Sequence, residues 1–445
     1  MKKTLFLLCI CFIFTAALPN DYLTIYNQNQ ALFKTNIELD LTRGTQYISF
    51  ENIPTSIITE SVIFIPRNRN VQLYSQNFEY DLANTHKMMQ RYINRNVRLT
   101  TDNENFNGTL VFFDYGNYGL LNEDTNELNI VNSQKVNNIQ LPDMPEDFYT
   151  KPTLRWQLNA DRAGKFAADL SYLMQGIEWK ATYNVVLNKN DFSLNSWVTI
   201  NNRSGKDFKN VNLKLIAGDV TTYQQHSQSR PEMMMMARGG TAMDMSAPQF
   251  EERAFSDLRM FTLDQPADID NNQEKQLSLY PIKTVKYTRK YQYRVQGNDV
   301  DVLIAFKNST QDGIGVPLPK GNVNFYEVDE KDSTQQFVGV ARLENTSLNQ
   351  DVELKIGSAF DIVADTQITN FQSSGRIRET NFEVSLINNK NETVEVEVIR
   401  NVGHGTVEII NPSITVERKD AFTFIFKVRI APGATEKFTF LERIS

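Results

Sequence analysis

From about residue 20 onward, apolar and polar residues alternate along much of the chain with a period of two. The segment 394–398 reads Val-Glu-Val-Glu-Val, and 211–215 and 422–427 repeat the same alternation. Successive side chains of a strand point to opposite faces, so this period is typical of strands with one buried face. A helical period is scarce, and its best example is 82–93. The pattern therefore predicts an all-β protein.

Pairs of turn-forming residues separate many of the alternating runs. They are Asn107-Gly108, Ser204-Gly205, Asp312-Gly313 and Pro432-Gly433. Many short strands joined by tight turns favour β-sandwiches or small barrels. We expect tandem β-sandwich domains, with a small β-barrel-like unit between them.

The order of the runs suggests four folded segments. We predict an N-terminal β domain at 18–80, the barrel-like unit at 94–142, a β-sandwich at 150–300 and a C-terminal β-sandwich at 301–445. The short helix at 82–93 would connect the first two.

One long stretch, 224–257, shows no strand or helix period. Six of the 12 methionines fall between Met233 and Met245. A segment without apolar periodicity buries too little surface to offset the entropy of ordering it. We therefore predict one long disordered loop inside the third segment.

The N-terminus has the pattern of a cleavable signal peptide. Lys2 and Lys3 precede an apolar run at 5–14, and small residues up to Ala17 follow. This order predicts cleavage after Ala17, and hence an exported protein, periplasmic or extracellular. No later segment has the roughly 18 uninterrupted apolar residues of a membrane span, so the mature chain should contain none.

Both cysteines, Cys9 and Cys11, lie inside this signal. The mature chain would therefore contain no disulfide and no thiolate ligand or nucleophile. Lipidation at either cysteine is the alternative, but Leu8 and Ile10 are bulky where small residues are expected. The formal charge of −7 and the absence of a long basic run argue against a nucleic-acid partner.

Short motifs occur at 39–44 (Leu-Asp-Leu-Thr-Arg-Gly), 53–54 and 60–62, and further on at 176–183 (Gly-Ile-Glu-Trp-Lys-Ala-Thr-Tyr), 201–208, 213–218, 319–323, 354–357 and 388–391. The first three resemble the N-terminal domain of the mucoidy-inhibitor-A-like family of bacterial envelope proteins, and the others resemble its C-terminal domain. The resemblance implies a β-rich envelope protein and supplies no catalytic residue. Many relatives carry a long coiled-coil insertion, which is absent here.

Motifs of catalysis and cofactor binding are missing from the sequence. It lacks a His-Glu-x-x-His zinc motif, a Gly-x-Ser-x-Gly elbow and the glycine-rich nucleotide loops. Only His86, His226 and His404 are histidines, and His404, between two glycines, fits a turn residue better than a general base. We therefore predict no catalytic residue, cofactor or resident metal.

Two chemical alternatives remain open. Carboxylates are plentiful, so a glycosidase pair is one alternative, although strand carboxylates such as Glu395 and Glu397 are expected to form a solvated face. The methionine-rich stretch offers thioethers, which suit Cu(I). Its candidate ligands are Met233, Met236, Met243, Met245 and His226.

Aromatic residues make up 11% of the chain, which raises a third possibility. Tyr115, Tyr118 and the tryptophans Trp156, Trp179 and Trp197 could form a platform that stacks on sugars. The competing interpretation places them in the core, since each buries a large area.

Together the sequence predicts a non-catalytic envelope protein that acts by binding or scaffolding. Its partner would be another protein or a cell-surface polymer such as a polysaccharide, and the oligomeric state stays open. The alternatives are a cofactor-independent enzyme acting on glycans and Cu(I) binding.

Overall fold

The computed structural model describes residues 21–51, 53–79, 85–142, 149, 151–221, 250–329, 331–403 and 405–445. These residues form 31 strands, one α-helix and two short 3-10 turns, which confirms the all-β prediction. The helix α1 is Thr85–Arg91, within the predicted 82–93. Among the described residues, no helix is long and apolar enough to cross a bilayer.

The first fifteen strands are β1 Tyr22–Tyr26, β2 Gln30–Leu41, β3 Gly44–Glu51, β4 Ile63–Pro66, β5 Val71–Glu79, β6 Asn96–Thr101, β7 Asn105–Phe113, β8 Asn117–Asn122, β9 Glu127–Asn132, β10 Val136–Gln140, β11 Thr153–Ala160, β12 Gly164–Gln175, β13 Ile177–Leu187, β14 Asp191–Asn202 and β15 Phe208–Ala217. The remaining strands are β16 Phe250–Phe255, β17 Leu258–Leu263, β18 Ala267–Ile269, β19 Gln273–Lys286, β20 Thr288–Arg294, β21 Val300–Lys307, β22 Gly321–Val328, β23 Gln335–Leu343, β24 Asp351–Ser358, β25 Ile362–Ser374, β26 Ile377–Asn388, β27 Val394–Asn401, β28 Val407–Ile410, β29 Val416–Arg418, β30 Thr423–Ile430 and β31 Thr435–Ile444.

Two large sheets form the first sandwich. Sheet I has the order β16-β17-β15-β1-β2-β12-β4, with β18 beside β15, and sheet II has the order β19-β14-β13-β22-β23. The Trp179 indole of sheet II donates to the Ile216 carbonyl of sheet I at 3.2 Å and meets the Phe261 ring edge-on at 6.2 Å. Alternate residues of both sheets thus form one continuous apolar core.

The N-terminal strands complete this first sandwich. β1 pairs with β15, β2 and β4 pair with β12, and β3 and β5 flank β11 in a separate sheet III. The Trp156 ring of sheet III stacks on Phe64 of sheet I at 4.5 Å. The segments predicted as separate domains at 18–80 and 150–300 therefore share sheets and a core, because strands distant in sequence pair with each other.

The small unit at 94–142 contains five strands, which form sheet IV in the order β10-β6-β7-β8-β9. Its end strands do not pair with each other within the described residues, so the sheet is open and the barrel-like expectation is wrong. Met89 and Tyr92, on and just after α1, pack into its apolar core. The turn predicted at Asn107-Gly108 is also wrong: Gly108 lies inside β7, where a Cβ would come within 2.5 Å of the Leu121 carbonyl oxygen.

The second sandwich packs sheet V, with the order β24-β21-β20-β27-β30-β29, on sheet VI, with the order β25-β26-β31-β28. Phe426 of sheet V lies 4.9 Å from the Phe440 ring of sheet VI. This sandwich begins at β20, whereas β22 and β23 return to sheet II, so the chain crosses between the sandwiches and the predicted boundary at 300/301 does not match the sheets.

Most of the methionine-rich stretch lies outside the described residues. Its last part is described and differs from the prediction. β16 at Phe250–Phe255 pairs with β17 as a hairpin, so the irregular stretch does not extend to residue 257.

Both sandwiches end a strand with a fully buried asparagine. The Asn202 side chain donates to the Lys206 and Ile269 carbonyls, and its oxygen accepts from the Ser204 amide. The Asn388 side chain donates to three carbonyls and accepts from a backbone amide in the same way. These two corner asparagines hold the strand ends in place, because buried carbonyls need donors.

Candidate functional site

The outer face of sheet II carries a surface that we call the amide face. Its members are nine outward side chains from the middle of three central strands, Ser193, Asn195 and Trp197 of β14, Thr182, Asn184 and Val186 of β13, and Asn322, Asn324 and Tyr326 of β22. The charged outward residues Glu178 and Lys180 of β13 and Asp191 of β14 lie nearer the strand ends. Eight of the nine have polar groups, and none is charged. Amide and hydroxyl groups both donate and accept hydrogen bonds, so the face can bind a ligand rich in such groups.

Strand register arranges these side chains in rows. Asn195, Asn184 and Asn324 lie side by side across the three strands, and Asn324 donates its amide to Asn184 at 3.0 Å. The neighbouring row is Trp197, Thr182 and Asn322. Adjacent strands are about 4.8 Å apart, so each row is a compact line of neighbouring polar groups.

A β-bulge lies beside each of the two aromatic residues. The β14–β19 register shifts between Ser196 and Trp197, and the β22–β23 register shifts between Phe325 and Tyr326. Tyr326 also meets the exposed Phe337 ring edge-on at 5.8 Å. Bulges re-aim side chains and are frequent near binding sites.

Much of the amide face is unsatisfied within the protein. Trp197, Asn195, Thr182 and Asn322 have no side-chain hydrogen-bond partner in the described part of the chain. Water satisfies such groups at an exposed surface, and a ligand can replace it. These side chains are therefore available for recognition.

The sheet beneath the face is rigidly supported. The buried Tyr183 hydroxyl donates to the Pro319 carbonyl and that of Tyr280 to the Pro317 carbonyl, each at 2.7 Å. Burial raises the pKa of both phenols, so they remain neutral donors. A site built on such strands keeps its geometry better than one on loops.

The outer face of sheet V has the opposite character, and we call it the charged face. Its members are Asp301, Lys355, Gln292, Glu397, Lys427 and Glu417. Lys355 lies 2.6 Å from Asp301, Lys427 lies 3.0 Å from Glu417, and Gln292 donates to Glu397 at 2.9 Å. Four of its five charges thus form ion pairs, and the fifth, Glu397, accepts a hydrogen bond from Gln292.

Residues 168–444 match a domain of unknown function, DUF4139. The match spans more than half of the chain and includes all five strands of sheet II. This chain belongs to the DUF4139 family. No curated protein matches it.

The DUF4139 match begins inside β12, so strands β1 to β5 and β11 lie outside it. They nevertheless complete the core beneath sheet II. The motif at 176–183 supplies the buried Trp179 and Tyr183 and the turn at Gly176, whose positive φ of 75° favours glycine. It therefore specifies the DUF4139 fold rather than an activity.

The structure separates the aromatic residues that the sequence grouped as a platform. Trp156 and Trp179 are core residues, 0% and 1% exposed. Tyr115 is fully exposed at a hairpin of the small unit, and Tyr118 packs against that unit's core. Trp197 is the one tryptophan on an outer face, so the five residues form no common platform.

The other predicted site residues do not assemble into a centre. Met233, Met236, Met243, Met245, His226 and His404 lie outside the described residues. His86 lies on α1 against the Phe113 ring at 4.9 Å. In the described part of the DUF4139 chain, no group of three or more His, Asp or Glu residues is placed to hold a metal ion.

Glu395 and Glu397 point outward from β27, in register with Arg429 and Lys427. This matches the solvated face expected for them. A cleft of about 410 Å³ between the sandwiches does contain Asp312, Asp351 and Glu353. Glu353 pairs with Lys290 at 2.6 Å and Asp312 accepts from the Ser309 hydroxyl, so two of these three carboxylates are already engaged.

Among the described basic residues, Lys206 has the largest shift in pKa. Its ammonium lies 4.5 Å from the Phe33 ring centre and 3.5 Å from the Tyr172 hydroxyl. Burial lowers its pKa to about 8, against the smaller opposite effect of Asp21. The ring contact favours the charged form, so the position combines two opposing effects.

Sequence reasoning missed Asn184, Asn195, Asn324 and Tyr326. The available signal was the outward half of the alternation in β13, β14 and β22, where amides and hydroxyls replace the usual charges. Only the register shows that these positions are neighbours.

Proposed function

We propose that this DUF4139 protein is a non-catalytic binding protein of the cell envelope that holds a cell-surface polymer on the amide face. The single observation that supports this most is a contiguous uncharged outer surface whose Trp197, Asn195 and Thr182 lack partners within the described chain. A solvated sheet face with no role would more commonly carry mixed charges, as the charged face does.

We further propose that the chain is exported and works in the periplasm or outside the cell. The order of basic, apolar and small residues at 1–17 supports export. The motifs at 39–44 and 176–183 support the closer assignment to mucoidy-inhibitor-A-like proteins, the second of them within the DUF4139 match.

Co-sedimentation tests the proposal. The purified protein is mixed with insoluble envelope polymers that have been freed of protein by protease and detergent. We expect the wild type to sediment with them and the double variant Trp197→Ala/Asn195→Ala to stay in the supernatant. The matched control, Gln292→Ala/Lys427→Ala on the charged face, should sediment like the wild type.

Equal sedimentation of the amide-face variant and the wild type would contradict the proposal, as would failure of the wild type to sediment. An enzyme acting on glycans would instead shorten the polymer and release soluble fragments. Circular dichroism confirms that the variants are folded, since the exchanged side chains all point outward from their sheets.

A further inference from the structure

We infer that the polymer held on the amide face is an uncharged glycan, with a sugar ring stacked on the Trp197 indole and its hydroxyl groups bonded to the neighbouring amides. This inference rests on the proposed function and names the chemical class of its ligand. Three properties of the face lead to it: its charge, its hydrogen-bonding groups and its extent.

The charge of the face argues against an anionic ligand. Arg and Lys are the usual partners of carboxylates and phosphates, and the centre of the face has neither. Two of the cations at its margins are already paired with carboxylates. Lys180 lies 2.8 Å from Glu178, and Arg342 lies 3.3 Å from Glu344. An uncharged face is complementary to an uncharged polymer, since a buried charge without a partner is costly.

The hydrogen-bonding groups suit a polyhydroxyl ligand. A sugar hydroxyl both donates and accepts, and the free amides of Asn195 and Asn322 do the same, as does the Thr182 hydroxyl. The core of a protein interface would instead be more apolar and aromatic. Here the central row is three asparagines, so the face offers hydrogen bonds along its middle and aromatic surface toward its ends.

The extent of the face favours a polymer over a single sugar. Trp197 lies in the row of Thr182, and Tyr326 lies in the row of Val186. The two aromatics are therefore two strands apart, about 10 Å, and four residues along the strands, about 13 Å. A chain that touches both must pass diagonally over Asn184 and its hydrogen-bonded neighbour Asn324.

Tryptophan fluorescence tests the inference directly. The protein has three tryptophans, and Trp156 and Trp179 are 0% and 1% exposed. Trp197 is half-buried on the outer face, so it should account for most of the quenching by acrylamide. We expect at least one of the neutral glycans dextran, mannan, glycogen and xyloglucan to protect Trp197 from acrylamide. Alginate, an anionic glycan, should not protect it.

Affinity electrophoresis in gels containing the same glycans gives the dissociation constants of the variants. We expect Trp197→Ala to raise the dissociation constant by about tenfold, which corresponds to about 1.4 kcal/mol. Trp197→Phe keeps an aromatic ring and should raise the dissociation constant by less. Tyr74→Ala removes an aromatic side chain that is 57% exposed on sheet III, and should bind like the wild type.

The outcomes separate this inference from the proposed function. If none of the neutral glycans protects Trp197, or if alginate protects it as well as they do, the inferred ligand class is wrong. Sedimentation that still depends on Trp197 would in that case leave the proposed function standing. If the wild type neither sediments with envelope polymers nor binds a neutral glycan, both are overturned.

Discussion

The two sandwiches have similar cores but differ in where their charged side chains lie. Each packs aromatic inner faces together and ends a central strand with a fully buried asparagine, Asn202 in the first and Asn388 in the second. Outside, the first sandwich presents the uncharged amide face, whereas the second presents the charged face. Inside, the second buries an ion pair between Arg400 and Glu442, and Glu442 is only 2% exposed.

This difference teaches what makes an outer face available for binding. On the charged face, neighbouring strands bring opposite charges together, and each satisfies the other. On the amide face, Trp197, Asn195 and Thr182 lie at equivalent outward positions, but no described residue forms a hydrogen bond with their side chains. The same period of two therefore produces a self-satisfied surface in one sandwich and a surface open to a ligand in the other.

The largest expected effect concerns the ion pair inside the second sandwich. Both Glu442 oxygens contact the Arg400 guanidinium, at 2.5 and 2.8 Å. Glu442→Ala should lower the free energy of unfolding by about 3–5 kcal/mol, because it leaves a largely buried cation without its partner. Urea unfolding measures this. Lys437 lies on the same strand as Glu442 and forms an exposed ion pair with Glu383 of β26. Lys437→Ala removes that pair and should cost less than about 1 kcal/mol.

The corner asparagines test whether the same structural element stabilises both sandwiches. Asn202→Ala leaves two backbone carbonyls without their side-chain donor, and Asn388→Ala leaves three. Each should cost about 2–3 kcal/mol in urea unfolding, with Asn388→Ala at least as costly. Asn389→Ala, at the exposed neighbouring position, should change stability by less than about 0.5 kcal/mol. If only one of the two variants is less stable than the wild type, the two asparagines do not have the same structural role.

A charge placed on the amide face sharpens the contrast between the two outer faces. Asn184→Asp adds a carboxylate at the centre of the asparagine row. We expect neutral-glycan binding to weaken by about tenfold while stability changes by less than about 1 kcal/mol, because the position is outward. Gln292→Glu makes the equivalent change on the charged face. If it weakens binding as much as Asn184→Asp, the site does not lie on sheet II.

The pH dependence of stability should reveal Lys206 in the first sandwich. Its pKa in the folded protein is about 8, below the ordinary value of 10.5, so the unfolded chain binds more protons between these values. The free energy of unfolding therefore rises, because of Lys206, as the pH increases from about 8 toward 10.5. Lys206→Met should flatten that rise in urea titrations at pH 7.5 and 9.5, while the exposed Lys331→Met should not. An unchanged rise in Lys206→Met would contradict the assignment.

Above about pH 10 the direction reverses. Burial raises the pKa of the Tyr172, Tyr183 and Tyr280 phenols, so the unfolded chain loses these protons before the folded protein does. Stability then falls with rising pH, which is why the Lys206 comparison belongs below that range.

Local signals in the sequence predicted much of the strand content. Val211, Leu213 and Leu215 alternate in the sequence and are all 0% exposed, and the turns at Gly205, Gly313 and Gly433 have positive φ. Gly108 misled the prediction because a glycine that allows two backbones to approach looks the same in sequence as one that forms a turn.

The candidate site was less accessible from sequence. Trp197 was recognised as a possible sugar-stacking residue but was grouped with two core tryptophans. The alternation shows that Asn184, Asn195 and Asn324 point away from the core, yet 140 residues separate Asn184 from Asn324 in the chain. Nothing local shows that parallel pairing of β13 with β22 places them side by side.

The sequence by itself determined which residues face inward and outward, because the period of two is a local property of the strand. It also carried the turn residues and the core aromatics of the DUF4139 fold. Only the tertiary structure decided that the N-terminal strands share a core with 153–217, that the chain crosses between the sandwiches, and which outward side chains become neighbours. Strand pairing makes these choices, and its register depends on non-local packing that no short segment encodes.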